Sequence, residues 1–123
     1  MKIAAIRVHQ ISVPLQRPYW MSLEPYTTAS ELIVQIVTDD GLTGIGEIHG
    51  RPMAQIAAIV TDTFAPLLIG QDPLLHERHW SAMFAHTHTR VGAGLGQAEG
   101  QPHFGAGARP QIMAAIAGID IAL

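Results

Sequence analysis

The spacing of the histidines is the first feature of this sequence that could support chemistry, because imidazole is a common zinc ligand. Four of the seven histidines fall in one short stretch, at His76, His79, His86 and His88. The first two lie three residues apart, whereas the His-Glu-x-x-His zinc motif places its histidines four apart. Met83 also lies between His79 and His86 on one helix side. We therefore expect ordinary exposed or capping histidines and no metal site.

A glycine-rich run from Gly92 to Gly96 resembles part of the dinucleotide-binding fingerprint. Gln97 and Glu99 occupy the two positions at which the motif would need its third glycine. A predicted helix precedes the run, whereas the motif requires a strand, a turn and then a helix. We therefore expect no nucleotide site.

Two carboxylates and one short turn are the remaining candidates for chemistry. Asp120 falls in an apolar stretch, where a buried carboxylate is costly unless it is paired, so we expect a neighbouring element to hold it. Glu47 ends a predicted strand, and the chain that leaves this strand could present His49 and Arg51 to a ligand. Arginine matches the geometry of a carboxylate. The turn is a candidate carboxylate site, with solvated surface as the alternative.

The composition limits the class of protein. The chain has 123 residues, of which 48% are hydrophobic, and it has no cysteine, which is typical of one globular domain without disulfides. The net charge is −3 and the arginines are dispersed, so we expect no nucleic-acid partner. The first residues lack the apolar run of a signal peptide. The default expectation is a cytoplasmic protein that does not contact a membrane.

The first predicted strand covers Lys2–Leu15, which is rich in β-branched residues. Its apolar residues change parity between Val8 and Ile11. Because side chains alternate between the two faces of a strand, this change predicts a β-bulge near His9-Gln10.

A hairpin follows, with the Asp40-Gly41 turn between the predicted strands Glu31–Thr38 and Leu42–Ile48. Gly44 and Gly46 share one face of the last strand, where we expect another backbone or a helix to pack closely. The sequence therefore predicts a three-stranded antiparallel meander.

The segment Gln16–Ser30 separates the first two strands and contains Tyr19, Trp20 and Tyr26. A loop of fifteen residues is usually functional or disordered. We expect a mobile loop whose aromatic side chains contact a ligand. The alternative is a loop that packs on its own Trp20.

Two amphipathic helices are predicted on one face of the sheet. The first has an apolar stripe over Met53–Phe64 and ends at Pro66. The second runs over Pro73–Phe84 with Asp72 as its N-cap. Its predicted inward face consists of Leu75, Trp80, Met83 and Phe84. The fold class is therefore α+β.

The end of the sequence predicts a third helix, opened by Pro110 after an irregular Gly-rich connector (Val91–Gly107). Ten of the thirteen residues in Gln111–Leu123 are apolar, which predicts a helix buried on all sides but too short to span a membrane. No later segment covers it, so we expect a longer parent protein. The alternative is a stand-alone α+β ligand-binding or interaction module that dimerises through this helix.

The order of these features resembles the N-terminal portion of the mandelate racemase/muconate lactonizing enzyme group of the enolase superfamily. Two segments carry the resemblance. The most specific one ends at Glu47 and reads Thr-Asp-Asp-Gly-Leu-Thr-Gly-Ile-Gly-Glu. The second one ends at Leu123 and reads Gly-Ile-Asp-Ile-Ala-Leu. The resemblance covers the whole chain.

The resemblance implies a domain organisation. Residues 1–108 would form an N-terminal capping domain, and residues 109–123 would form the first helix leading into a C-terminal (β/α) barrel that this chain lacks. In that family the magnesium-binding carboxylates and the acid/base lysine and histidine lie on the barrel. The resemblance therefore implies that this chain alone is not catalytic and has no dedicated magnesium site.

The resemblance also implies a function. The family abstracts a proton α to a carboxylate with the help of magnesium, so the parent would be an acid-sugar dehydratase or a mandelate-type racemase acting on a small carboxylic acid. A homo-oligomer is expected. The residues that the resemblance assigns to the substrate cap are Arg17, Tyr19, Trp20, Tyr26, His49 and Arg51.

Overall fold

The structure is a computed structural model that describes residues 1–87 and 109–123. It contains a three-stranded antiparallel sheet followed by helices, which confirms the predicted α+β fold. The strands lie side by side in chain order as β1 (Ile3–Trp20), β2 (Pro25–Thr38) and β3 (Thr43–Ile48). The Gly-rich connector and His88 lie outside the described residues.

The hairpin between β2 and β3 turns at the predicted Asp-Gly pair. Gly41 has a φ of 92°, which glycine adopts without a steric penalty. The Thr38 hydroxyl donates a hydrogen bond to the Asp40 carboxylate at 2.5 Å, and this bond lowers the pKa of Asp40 below its usual value. The Leu42 amide donates to the Thr38 hydroxyl at 2.9 Å. The turn is therefore held by local hydrogen bonds.

The predicted loop over Gln16–Ser30 is wrong, because β1 and β2 continue into a hairpin arm (residues 12–30). Only Met21–Glu24 connects the two strands. The prolines of β1 are tolerated because this strand lies at the edge of the sheet, and Pro25 is tolerated as the first residue of β2.

The predicted bulge at His9-Gln10 is also wrong. Pairing between β1 and β2 is regular from Ala5 to Pro14, and the register shifts lie on either side of this stretch. Ile11 and Val13 are 42% and 55% exposed. The change of parity therefore reflects apolar residues on the open face of the strand rather than an inserted residue.

The first helical segment is longer than predicted and changes its winding. It consists of α1 (Met53–Ala58), a π-helical turn (Ile59–Phe64) and α2 (Ala65–Leu68). The predicted apolar stripe is buried at Ile56, Val60 and Phe64. Pro66 does not end the helix: the π-helical turn lies directly before α2, and Pro66 lies in the first turn of α2.

The second predicted helix begins later than expected, as α3 (His76–Phe84), and a 3-10 turn (Ala85–Thr87) follows it. Asp72 is not its N-cap. The Asp72 carboxylate instead accepts a hydrogen bond from the Leu74 amide at 3.0 Å, within a turn that precedes the helix.

The inward face of α3 differs from the prediction. Met83 is buried and Phe84 is half-buried, whereas Leu75 and Trp80 are exposed. His79 is buried because its Nε2 donates a hydrogen bond to the Asp72 carbonyl at 2.7 Å. A hydrogen-bonded histidine is therefore buried on the face of α3 that was predicted to be apolar.

The last helix is α4 (Arg109–Ala122), as predicted. The sheet covers one side of it, and Ile112, Ile116 and Ile119 are fully buried in the common core. Ile121 is 66% exposed, so one side of the helix is uncovered among the described residues, and burial on all sides stays a prediction for the longer parent protein. Asp120 is also exposed and forms no hydrogen bond or ion pair with any other described residue.

The backbone of α4 lies directly against β3, as the two glycines of that strand predicted. A methyl group at Gly44 would overlap the Ala122 carbonyl oxygen, and one at Gly46 would overlap the Gly118 carbonyl oxygen. A methyl group at Gly118 would in turn overlap the Ile48 side chain. Three glycines therefore permit this contact.

One hydrophobic core joins the sheet to the helices on a single face, as predicted. Its largest buried side chains are Phe64, Ile3, Leu32, Ile36, Ile48, Ile56, Leu68, Met83, Ile112, Ile116 and Ile119. No helical segment in residues 1–87 and 109–123 combines the length and the apolar character that a membrane span requires.

Gly46→Ala should destabilise the protein by at least about 2 kcal/mol, because the new methyl group would force α4 away from β3. Gly41→Ala is the matched control, since no atom lies near its added methyl group but its φ is positive. The control should cost about 1 kcal/mol for backbone strain. Urea unfolding measures both, and equal losses would contradict a steric role for Gly46.

The stability of the protein should fall as the pH drops below about 6.5, in part because of His86. Burial beside Phe64, whose ring lies 5.8 Å away, lowers the pKa of His86 below its usual value of 6.5. The unfolded chain therefore takes up the proton first. His86→Gln should flatten the dependence of the unfolding free energy on pH between 7.5 and the folded pKa, and an unchanged slope would refute this contribution.

Candidate functional site

A cavity of about 220 Å³ lies where the connection of the hairpin arm meets the end of β3. Strand pairing brings Tyr19 opposite Tyr26, and their rings lie 5.3 Å apart. The Met21 amide donates to the Glu24 carbonyl at 2.9 Å and closes the connection. The lining residues are Tyr19, Met21, Glu24, Tyr26, His49, Gly50 and Arg51.

Arg51 supplies the positive charge of this cavity. Its guanidinium lies 5.1 Å from the centre of the Tyr26 ring and 3.1 Å from the Glu24 carboxylate. Both charged side chains are more than half exposed, so the ion pair contributes at most about 1 kcal/mol to folding. The guanidinium is therefore held above the tyrosine ring by weak contacts that a ligand carboxylate can replace.

Tyr26 is the buried polar group of the cavity. Its side chain is 8% exposed, and its hydroxyl has no hydrogen-bond partner among the described residues. Leaving such a group unpaired costs about 1–3 kcal/mol. Because Arg51 lies over the same ring, the unpaired hydroxyl makes Tyr26 a candidate contact for a polar ligand.

His49 lies on the rim of the same cavity, where Glu31 holds it. The His49 Nδ1 atom lies 2.8 Å from one Glu31 carboxylate oxygen and 3.0 Å from the other. The paired residues Leu32 and Ile48 end this part of the sheet. Glu31 precedes Leu32 in β2, and His49 follows Ile48 directly after β3. The register of β2 and β3 therefore fixes the position of the imidazole.

Four of the six residues predicted for the substrate cap line this cavity: Tyr19, Tyr26, His49 and Arg51. Arg17 and Trp20 do not line it, and both are exposed on the arm. Their role in the substrate cap stays a prediction.

The two acids of the site, Glu24 and Glu31, are not among the residues predicted from the sequence. Glu31 could have been found by extending the hairpin register outward from the Asp40-Gly41 turn until His49 is reached. Glu24 gave no such signal, because the loop that was predicted around it has no register.

The other polar clusters of the described residues do not form a metal site. A second cavity of about 410 Å³ between α3 and α4 is lined by His76, Glu77, Trp80 and Asp120. In residues 1–87 and 109–123, no group of three histidine, aspartate or glutamate side chains is placed to hold a metal ion. The two acids beside the first cavity are already paired with Arg51 and His49. The described residues therefore do not fit magnesium.

A family model and a known protein each match nearly the whole chain. Residues 3–123 match the model of the mandelate racemase / muconate lactonizing enzyme, N-terminal domain. The D-galactarolactone cycloisomerase of Agrobacterium fabrum is 31% identical over 123 residues, which are all of this chain and 28% of that protein. A D-galactonate dehydratase family member of Pseudarthrobacter chlorophenolicus is 36% identical over 92 residues, which cover 73% of this chain and 18% of that protein.

A solved structure also shares the fold. The dipeptide epimerase of Enterococcus faecalis, complexed with Mg and the dipeptide L-Leu-L-Tyr, matches with a TM-score of 0.61 and 25% identity. The match covers 66% of this chain and 24% of that one. The matches with this chain therefore span between 18% and 28% of the length of these proteins.

Tyr26→Phe should leave the stability unchanged or raise it by up to about 1 kcal/mol, because it removes a buried hydroxyl that has no partner. Tyr19→Phe is the control, since Tyr19 is 52% exposed and its stability should change by less than about 0.5 kcal/mol. Urea unfolding of both variants checks this. A loss above 1 kcal/mol for Tyr26→Phe, on the scale of one net hydrogen bond, would show that the hydroxyl has a partner in the protein.

Proposed function

Because the chain belongs to the mandelate racemase / muconate lactonizing enzyme family and spans its N-terminal domain, we propose that it caps a C-terminal (β/α) barrel and selects the substrate of a magnesium-dependent enzyme. The substrate is a small carboxylic acid, and the reaction begins with removal of the proton α to its carboxylate. In this proposal residues 1–108 form the cap and residues 109–123 lead into the barrel. The homo-oligomer expected from the sequence is part of the same proposal.

The unpaired Tyr26 hydroxyl beside Arg51 is the observation that carries this proposal. A hydroxyl that is buried without a partner recovers its hydrogen bond when a ligand enters. The adjacent guanidinium attracts a carboxylate and can bind it through two parallel hydrogen bonds. The cavity therefore favours a charged, oxygen-rich ligand over an apolar one.

The chemistry of the reaction belongs to residues outside this chain. Magnesium, if those residues held it, would supply positive charge next to the substrate carboxylate. The residues of this chain bind and orient the substrate, and the cap excludes water from the reacting atoms.

An acid-sugar dehydratase is the form of this function that the cavity supports best. Tyr26, His49 and Arg51 place a hydroxyl, an imidazole and a cation around one space, which suits a hydroxylated acid. Two of the relatives are named after an acid sugar or the lactone of one. The contact between the Tyr19 and Tyr26 rings, which are tilted by 35° to each other, is the observation that favours the second candidate, a racemase of aromatic acids such as mandelate.

The test is steady-state kinetics of the complete protein with magnesium on a panel of acid sugars, beginning with D-galactonate, and on mandelate. Arg51→Ala should lower kcat/KM at least about tenfold, mainly by raising KM, because it removes a charged contact made throughout the reaction. Arg7→Ala is the control, because Arg7 is an exposed arginine of β1 outside the cavity.

Wild-type kinetics for Arg51→Ala on the best substrate would refute the role of the cavity. If the protein turns over none of these acids and sedimentation instead shows a dimer of this domain alone, the stand-alone module is the better account.

A further inference from the structure

We propose that Glu31 is a positioning residue, which keeps a proton on Nδ1 of His49 and so presents Nε2 as the working atom of the cavity. This inference rests on the proposed function, because it assigns a role within the same cavity. It also makes a claim about one imidazole that can be tested without any enzyme activity.

The first step is the direction of the hydrogen bond. Both oxygens of the Glu31 carboxylate lie within 3.0 Å of His49 Nδ1. An ionised carboxylate only accepts hydrogen bonds, so Nδ1 must donate. The tautomer of the neutral ring therefore carries its hydrogen on Nδ1 and leaves Nε2 without one.

The second step is the difference in burial between the two partners. The Glu31 side chain is 15% exposed, whereas the His49 side chain is 73% exposed. Within the described part of the chain, His49 is the hydrogen-bonding group that Glu31 contacts. The less exposed Glu31 carboxylate therefore restrains the more exposed imidazole of His49, which lines the cavity.

The third step is what Nε2 can do from this position. With the neutral ring it accepts a hydrogen bond, for example from a ligand hydroxyl, and with the charged ring it donates one. Nδ1 keeps its hydrogen in both states because Glu31 accepts it. The other charged and polar side chains that line the cavity are those of Arg51, Glu24, Tyr19 and Tyr26. The cavity can therefore offer an acceptor, a donor and a cation to one ligand.

An ordinary cross-strand ion pair is the competing explanation. Such a pair stabilises a sheet by about 0.2–1 kcal/mol and requires no particular tautomer at the far nitrogen. Stability alone does not separate the two explanations, whereas the tautomer and its response to ligand do.

The experiment is ¹⁵N NMR of the complete protein labelled at histidine, with His49→Gln used to assign the resonances. In the wild type, the neutral His49 ring should have its hydrogen on Nδ1. Glu31→Leu should move it to Nε2 in most molecules. Glu31→Gln should retain the wild-type tautomer, because its amide oxygen can still accept from Nδ1.

Glu47→Leu is the matched control, because it removes an exposed acid of β3 that does not line the cavity. It should leave the His49 tautomer unchanged. A wild-type ring with its hydrogen on Nε2 would overturn the proposal, as would an unchanged tautomer in a folded Glu31→Leu variant.

D-galactonate, added as the probe, tests the role in binding. It should shift the Nε2 resonance in the wild type, and its Kd should rise about tenfold in Glu31→Leu, the effect of losing one oriented hydrogen bond. Equal affinity in both proteins would overturn the positioning role. No binding to either protein, with the expected tautomer present, would count against an acid-sugar substrate while it supports the assignment of Glu31.

Discussion

The close contact between the backbones of α4 and β3 is the constraint on which the rest of the structure depends. Gly44 and Gly46 on the strand and Gly118 on the helix leave no room for a Cβ atom. The helix therefore lies closer to the sheet than larger side chains would allow, and its isoleucines pack into the common core. Three residues without side chains thus set the spacing that many apolar side chains then fill.

The residues of the candidate site begin where the chain leaves this contact at the end of β3. β3 stays in the core as far as Ile48, and the next residues leave it as a turn that carries His49 and Arg51. Each of these two side chains meets an acid supplied by β2 or by the connection before it. Among the described residues, Tyr26 keeps a buried hydroxyl without a partner, which lowers stability and is typical of a binding site that is completed by its ligand.

The sequence predicted the features whose signals are local and missed those that depend on the fold. The Asp40-Gly41 turn and the paired glycines of β3 follow from backbone sterics, so the hairpin and the contact with α4 could be predicted. The residues around Pro18 looked like a loop because proline usually interrupts strands, but an edge strand tolerates it. His79 is buried through a hydrogen bond to a carbonyl of an earlier turn, which no periodicity records. Glu24 reaches Arg51 only because the arm forms.

The claim that the cap cavity binds the substrate is tested most directly by a crystal structure of the complete protein with magnesium and the acid sugar that it turns over best. We expect a ligand oxygen at about 2.6–3.2 Å from the Tyr26 hydroxyl, with the ligand carboxylate on Arg51 in place of Glu24. A bound substrate that leaves the Tyr26 hydroxyl and Arg51 untouched, or a Tyr26 hydroxyl bonded to another residue of the protein, would contradict the account.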